Sequence, residues 1–248
     1  PNQLAEKVFF DDLTPLHQLS DAVARAPAHV CAPRSTERFL LPMGYGRQPV
    51  PGKGYQLAQG MVATYYEKQT AAGDTVRMLL DAGKNPPEGV IVTYYLKEKP
   101  EGEVTLRFFD AQGQLIKSFT SKVVAEARSG NGTRERRVPC EAGMNRFIWN
   151  MRYADARGVP GDVTTERSLT GPLAPPGIYQ VQLSIGDQTA AQSFEIRKDP
   201  RVAATQADFA AQFALLLQIR DKLSETHAAI VQLRNVRQQV EEWIRRTA

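Results

Sequence analysis

From Thr205 to Arg246 the chain contains neither glycine nor proline. Phe209, Phe213, Leu216, Ile219, Leu223, Thr226, Ile230, Leu233, Val236, Val240 and Trp243 recur through this run at three-four spacing, the period of one helical face. Thr205, with Asp208 three residues on, reads as a capping box at its start. No turn signal divides the run. The pattern therefore predicts one helix, about 60 Å long at a rise of about 1.5 Å per residue, with Ser224 to His227 as the place for any bend. A lone helix cannot bury such a stripe. It must rest on a sheet, a second copy or another helix. Phe209, Phe213, Leu216, Leu223, Ile230, Leu233, Val240 and Trp243 are the candidate interaction surface.

What precedes the helix reads as β-structure. Pro175-Pro176-Gly177 turns the chain, Ile178 to Ile185 alternates, Gly186-Asp187 turns it back, and Thr189 to Arg197 returns. Two strands joined by so short a glycine turn make a hairpin. Earlier, Val90 to Leu96 is rich in β-branched and aromatic residues. Glu103 to Asp110 and Leu115 to Phe119 flank Asp110-Ala111-Gln112-Gly113, a turn with glycine where positive φ is needed. Arg134 to Val138 reads as an edge strand and Met144 to Tyr153 as a long one. Val62 to Glu67 and Thr75 to Leu80 add a further hairpin or edge. About seven principal strands at short spacing are expected of an immunoglobulin- or fibronectin-like antiparallel β-sandwich. The fold class is thus mainly β with α, and the expected division is 1–59 linker, 60–198 sandwich, 199–248 long helix. In the linker, Thr14 with Pro15 starts a helix of about three turns to Ala24 or Arg25, showing Leu16, Leu19 and Val23 on one face. His29 to Leu41 is extended around Pro33, and the glycine- and proline-rich 42–60 reads as loop.

At 248 residues, with 42% hydrophobic and 23% charged residues, the chain can build a real core. A net charge of +4, spread along the chain, does not point to nucleic acid. The densest basic run, Arg134-Glu135-Arg136-Arg137, lacks aromatic interleaving and fits a solvated strand edge. No apolar run approaches the roughly 20 residues of a membrane span. Cys31 and Cys140 could pair in an oxidising compartment, but their separation fits two free cysteines better. With Pro1 at its start and no signal peptide, the chain reads as a piece of a longer protein.

Four segments, DAGKNPPEGVIVTYYLKEKPEGEVTLRFFDAQGQLIKSFTS, GMNRFIWNMRY, GPLAPPGIYQVQL and FEIRKDPR, resemble the C-terminal region of bacterial sortilin-like BNR/Asp-box β-propeller proteins, many of them named glycosyl hydrolases or exo-sialidases. VFFDDLTPLHQL resembles the exit from such a propeller into a linking helix. The resemblance implies a linker, sandwich and helical tail behind an N-terminal propeller of the same protein, in an extracytoplasmic setting. Any sialidase-type catalytic residues would belong to the propeller, so none is carried onto this chain.

The residues themselves agree. Asp11-Asp12, the one adjacent acidic pair before the tail, would point to opposite faces of an extended segment, unlike the facing carboxylates of a glycosidase. His17, His29 and His227 lie in separate segments without metal-ligand spacing. No nucleophile elbow or phosphate loop is present. Phe147, Trp149, Met151 and Tyr153 alternate onto one face as core residues, and Tyr179 fits a tyrosine corner. Tyr65, Tyr66, Tyr94 and Tyr95 alternate across faces, so that one of each pair is a candidate for a binding surface. The chain is therefore expected to be a non-catalytic accessory or interaction module, with no cofactor or metal, no nucleic-acid partner and a homo-oligomer through the helix. The alternative is a glycan-binding accessory domain of a secreted glycoside hydrolase, which predicts a row of exposed aromatics on one sandwich face.

Overall fold

A computed structural model describes residues 13–39, 52–58, 61–69, 75–80, 88–122, 136–161 and 169–247. In chain order its elements are α1 (Thr14–His17), α2 (Asp21–Arg25), β1 (Ala28–Val30), β2 (Thr36–Arg38), β3 (Gly52–Ala58), β4 (Met61–Gln69) and β5 (Thr75–Leu79). There follow β6 (Val90–Leu96), β7 (Val104–Phe109), β8 (Leu115–Thr120), β9 (Gly143–Trp149), β10 (Gly177–Ile185), β11 (Gln188–Lys198) and α3 (Gln206–Thr247). The fold is mainly β with one long helix. It divides into two compact units, residues 1–12 with 39–88, and residues 13–38 with 89–248.

The first unit holds an antiparallel sheet in the order β3-β4-β5. The stretch 42–60 reads as loop in the sequence, yet its residues 52–58 form an edge strand. Ladder pairing asks only for backbone N–H and C=O groups, which glycines supply as well as any residue. Ala58 pairs with Met61. The strands expected at Val62 to Glu67 and Thr75 to Leu80 are β4 and β5. β4 pairs with β5 on one edge and with β3 on the other, in a sheet of their own.

The second unit has two sheets, β1-β6-β9 and β2-β11-β10-β7-β8. Period-two alternation decides which residues go inside. Val90, Val92, Tyr94 and Leu96 of β6 are buried, as are Val104, Leu106 and Phe108 of β7 and Tyr179, Val181 and Leu183 of β10. Both sheets send these faces into one buried cluster. Phe108 of the larger sheet stacks on Trp149 of the smaller at 4.5 Å between ring centroids. The two hairpins form as the turn residues dictate. Gly186, at φ 54, closes β10 onto β11. Gly113, at φ 77, follows Asp110, whose Oδ1 accepts from the backbone N–H groups of Gln112 and Gln114.

Three further expectations differ from the structure. The N-terminal helix is two short pieces, and Thr14 is its first helical residue, with Leu13 at the cap position. Gln18 breaks it by bonding across to the backbone of Ala32 through both side-chain atoms, and Ser20 recaps the second piece by accepting from Val23 N–H. Leu16 and Leu19 are exposed and only Val23 is buried, so no packed face held one longer helix together. Of the edge strand expected over Arg134 to Val138, Arg134 and Glu135 lie outside the described residues and Arg136 to Val138 is not a strand; Val138 N–H donates to Thr120 O and its side chain is buried. The strand expected to reach Tyr153 ends at Trp149. Trp149 Nε1 donates to Arg152 O, Asn150 Oδ1 accepts from Arg152 N–H, and Met151 turns the chain at φ 56. Phe147, Trp149 and Met151 still enter the core as expected, with Tyr153 against it.

The joint from β11 to α3 is held by Asp199. Its carboxylate accepts from Arg201 N–H at 2.9 Å and from the Arg201 guanidinium at 2.6 Å. Those bonds hold its pKa well below the usual carboxylate range, at about 2. The folded state therefore binds this proton more weakly than the unfolded one. The stabilisation is complete above the ordinary carboxylate pKa of about 4 and is lost as pH falls through about 2. Urea midpoints of the wild type and Asp199→Asn are expected to differ by a constant amount near neutrality and to converge as pH approaches 2. A gap unchanged at low pH would remove the role given to the carboxylate.

Candidate functional site

Helix α3 runs unbroken from Gln206 to Thr247 and starts with the capping box: Thr205 Oγ1 accepts from Asp208 N–H at 3.2 Å, and Asp208 Oδ2 accepts from Thr205 N–H at 2.8 Å. Its first part is anchored to the second unit. Gln206 Nε2 donates to Pro176 O at 2.8 Å. The Arg38 guanidinium lies 4.9 Å from the Phe209 ring centroid and donates to Gln212 Oε1. Phe213 packs on Tyr153 at 4.6 Å. Further along, Ser224 Oγ accepts from Arg157 N–H at 3.1 Å, and His227 Nδ1 lies 2.6 Å from Arg157 O. A carbonyl can only accept, so Nδ1 carries the proton. His227 is the one buried residue of the helix.

A helix turns about 100° per residue, which puts Phe209, Phe213, Leu216, Leu223, His227 and Ile230 on one side; each is buried or half-buried. A second seam runs along another side, centred about 130° away, in alternating steps of four and three. Leu215, Ile219, Leu233, Val236, Val240 and Trp243 lie on it, all between 51% and 69% exposed. Lys222, Thr226 and Ala229 fill the seam between, and Ile244 borders it, also exposed. The eight residues of the candidate surface thus fall into two groups. Phe209, Phe213, Leu216, Leu223 and Ile230 belong to the anchored side, while Leu233, Val240 and Trp243 belong to the free one. Two consecutive steps of three, Ile230 to Leu233 to Val236, carry the apolar pattern from one side to the other. In sequence the two seams merge into a single stripe.

The remaining sites separate. His17 is exposed on α1 and His29 half-buried on β1. Asp11-Asp12 lies outside the described residues. Among the described residues no group of three or more His, Cys, Asp or Glu could hold a metal ion. Cys31 and Cys140 are free thiols, and burial pushes the Cys31 thiol up. Of the tyrosine pairs, Tyr94 is buried, its hydroxyl donating to Pro139 O, and Tyr95 and Tyr65 are half-buried; Tyr66, in the first unit, is exposed. The described strands of the second unit carry no exposed aromatic, so the row of exposed rings is not there. Tyr179 makes the expected corner, donating to Pro175 O at 2.7 Å. Burial raises its pKa, and burial with the Asp110 charge pushes Tyr153 up to about 12. A general acid or base works best with a pKa near the operating pH. These shifts move the other way. No described helix is long and apolar enough to cross a membrane. Comparison with known proteins finds no matching family model, no matching curated protein and no matching solved structure.

Proposed function

We propose that the chain is a non-catalytic accessory and interaction module of the kind that follows a BNR-type propeller, extracytoplasmic, with an immunoglobulin- or fibronectin-like sandwich as its rigid mount. Lettering the strands β1 A, β6 B, β7 C, β8 C′, β9 E, β10 F and β11 G gives sheets A-B-E and C′-C-F-G, an order in keeping with that class, as is the Tyr179 corner at the start of strand F. The short β2 pairs parallel to β11, which suits a first strand split between the two sheets at Pro33. The blocks behind the propeller resemblance, NRFIWNMRY and PPGIYQVQL, supply β9, its terminal bend and the corner.

The interaction reading rests on one observation: α3 is already anchored by one side and still exposes a second apolar seam. Contiguous exposed apolar surface of that kind marks a contact site. The combined variant Leu233→Gln, Val236→Gln, Val240→Gln, Trp243→Gln tests it, glutamine being a good helix former. At dilutions where the chain is monomeric, its melting temperature should stay within about 2 °C of wild type, since exposed positions contribute little to the fold. Phe213→Ala, on the anchored side, should lower it by roughly 5 °C. If the glutamine variant loses its helical far-UV signal, the seam belongs to the fold and the reading fails.

A further inference from the structure

Resting on that interaction reading, we infer that the occupant of the seam is a second copy of this chain, its α3 paired antiparallel in one register. Residues stepping by four and three along an exposed helix side form the seam of a two-stranded coiled coil. Leu233, Val236, Val240, Trp243 and Ile244 together expose on the order of 500 Å² per helix, so a pair would bury about 1,000 Å², the lower bound of a specific interface. In a parallel pair each seam residue meets its own counterpart. Lys222 would then face Lys222, two like charges in one desolvated layer. An antiparallel pair avoids this.

Placing the two-fold axis between Leu233 and Val236 sets Leu233 against Val236, Ala229 against Val240 and Thr226 against Trp243 of the second copy. The bulkiest seam residue then meets one of the smallest. The same register brings Glu225 beside Arg246 of the second copy, twice by symmetry. Glu225 also pairs with Lys222 of its own helix at 2.9 Å, but both side chains are 70% or more exposed, and such a pair is worth little. Sliding by one heptad toward the C-terminus sets Arg237 against Arg237; sliding the other way leaves Glu225 opposite Gln239. Only the first register joins opposite charges. The seam lies on the far side of α3 from Phe209, Phe213 and His227, so pairing leaves the contacts of those three residues in place.

Sedimentation equilibrium of the 248-residue chain should give a monomer–dimer system with a dissociation constant in roughly the micromolar range. Glu225→Arg and Arg246→Glu should each weaken the dimer by about tenfold, and the double variant should restore it. Spin labels at Asn235→Cys, near the axis, should lie within roughly 25 Å of each other, and labels at Thr247→Cys about 37 Å apart along the axis. A Cys140→Ser background keeps the label to one site, Cys31 being buried. A monomer at every concentration, a trimer, close Thr247 labels or a double variant that is not restored would each overturn the proposal. In those cases a folded glutamine variant leaves the interaction reading standing, whereas an unfolded one removes both.

Discussion

Gly89→Ala lowers the melting temperature of the second unit by roughly 10 °C, read by circular dichroism. Gly89 sits at φ +129, a backbone conformation that side-chain-bearing residues rarely adopt, and a Cβ there would lie 2.2 Å from Trp149 O and 2.9 Å from its carbonyl carbon. Neither atom can retreat. Val90, the next residue, is paired in register with Trp149, whose indole is sealed in the core. The backbone conformation costs about 1–2 kcal/mol and the overpacking another 1–3 kcal/mol, and each kcal/mol is worth about 2–4 °C in a unit of this size. Gly186→Ala is the control. It shares a positive φ, +54, but a Cβ there meets nothing within 4 Å, so it should lose only a few degrees. Equal losses in the two variants would mean that the close approach at Trp149 does not limit the fold.

Local chemistry made much of this architecture legible in the sequence. Asp110 to Gly113, Gly186-Asp187 and the Thr205–Asp208 box each act within a few residues, and each forms as its residue types require. The core side of β6, β7, β9 and β10 follows because alternation has only two phases, and one of them is apolar. Partner choice was less legible. Residues 52–58 became a strand because β4 offered a free ladder, which Gly52 and Gly54 do not announce. The N-terminal helix broke because Gln18 found Ala32, a contact fourteen residues away. The helix surface lies between these cases. Its apolar residues are plain in the sequence, but three-four spacing cannot separate two seams on one helix when the apolar pattern passes from one to the other. Exposure separates them: Phe213 meets Tyr153, while Trp243 is 69% exposed.

The two tryptophans occupy opposite environments, and this carries the second large prediction. Trp149 is fully buried, stacked on Phe108 and edge-on to Tyr179 and Phe194 at 6.0 and 6.1 Å. These three rings belong to the larger sheet and Trp149 to the smaller, so the indole joins the two. Trp149→Ala removes those contacts and orphans Arg152 O, which accepts from Nε1 at 3.2 Å. The expected cost is about 3–5 kcal/mol, a fall in melting temperature of at least roughly 10 °C. Trp149→Phe keeps a ring in the slot and should cost about half as much. A loss from Trp149→Ala no larger than that from the exposed Trp243→Ala would mean that the sheets are not joined there. Trp149→Phe also leaves Trp243 as the only indole. In that variant acrylamide quenching reports on the helix seam alone, and pairing of two copies should make Trp243 progressively harder to quench as concentration rises. Quenching that stays constant while the sedimenting mass doubles would put the dimer contact elsewhere on the chain, since no pairing through this seam can leave Trp243 in water.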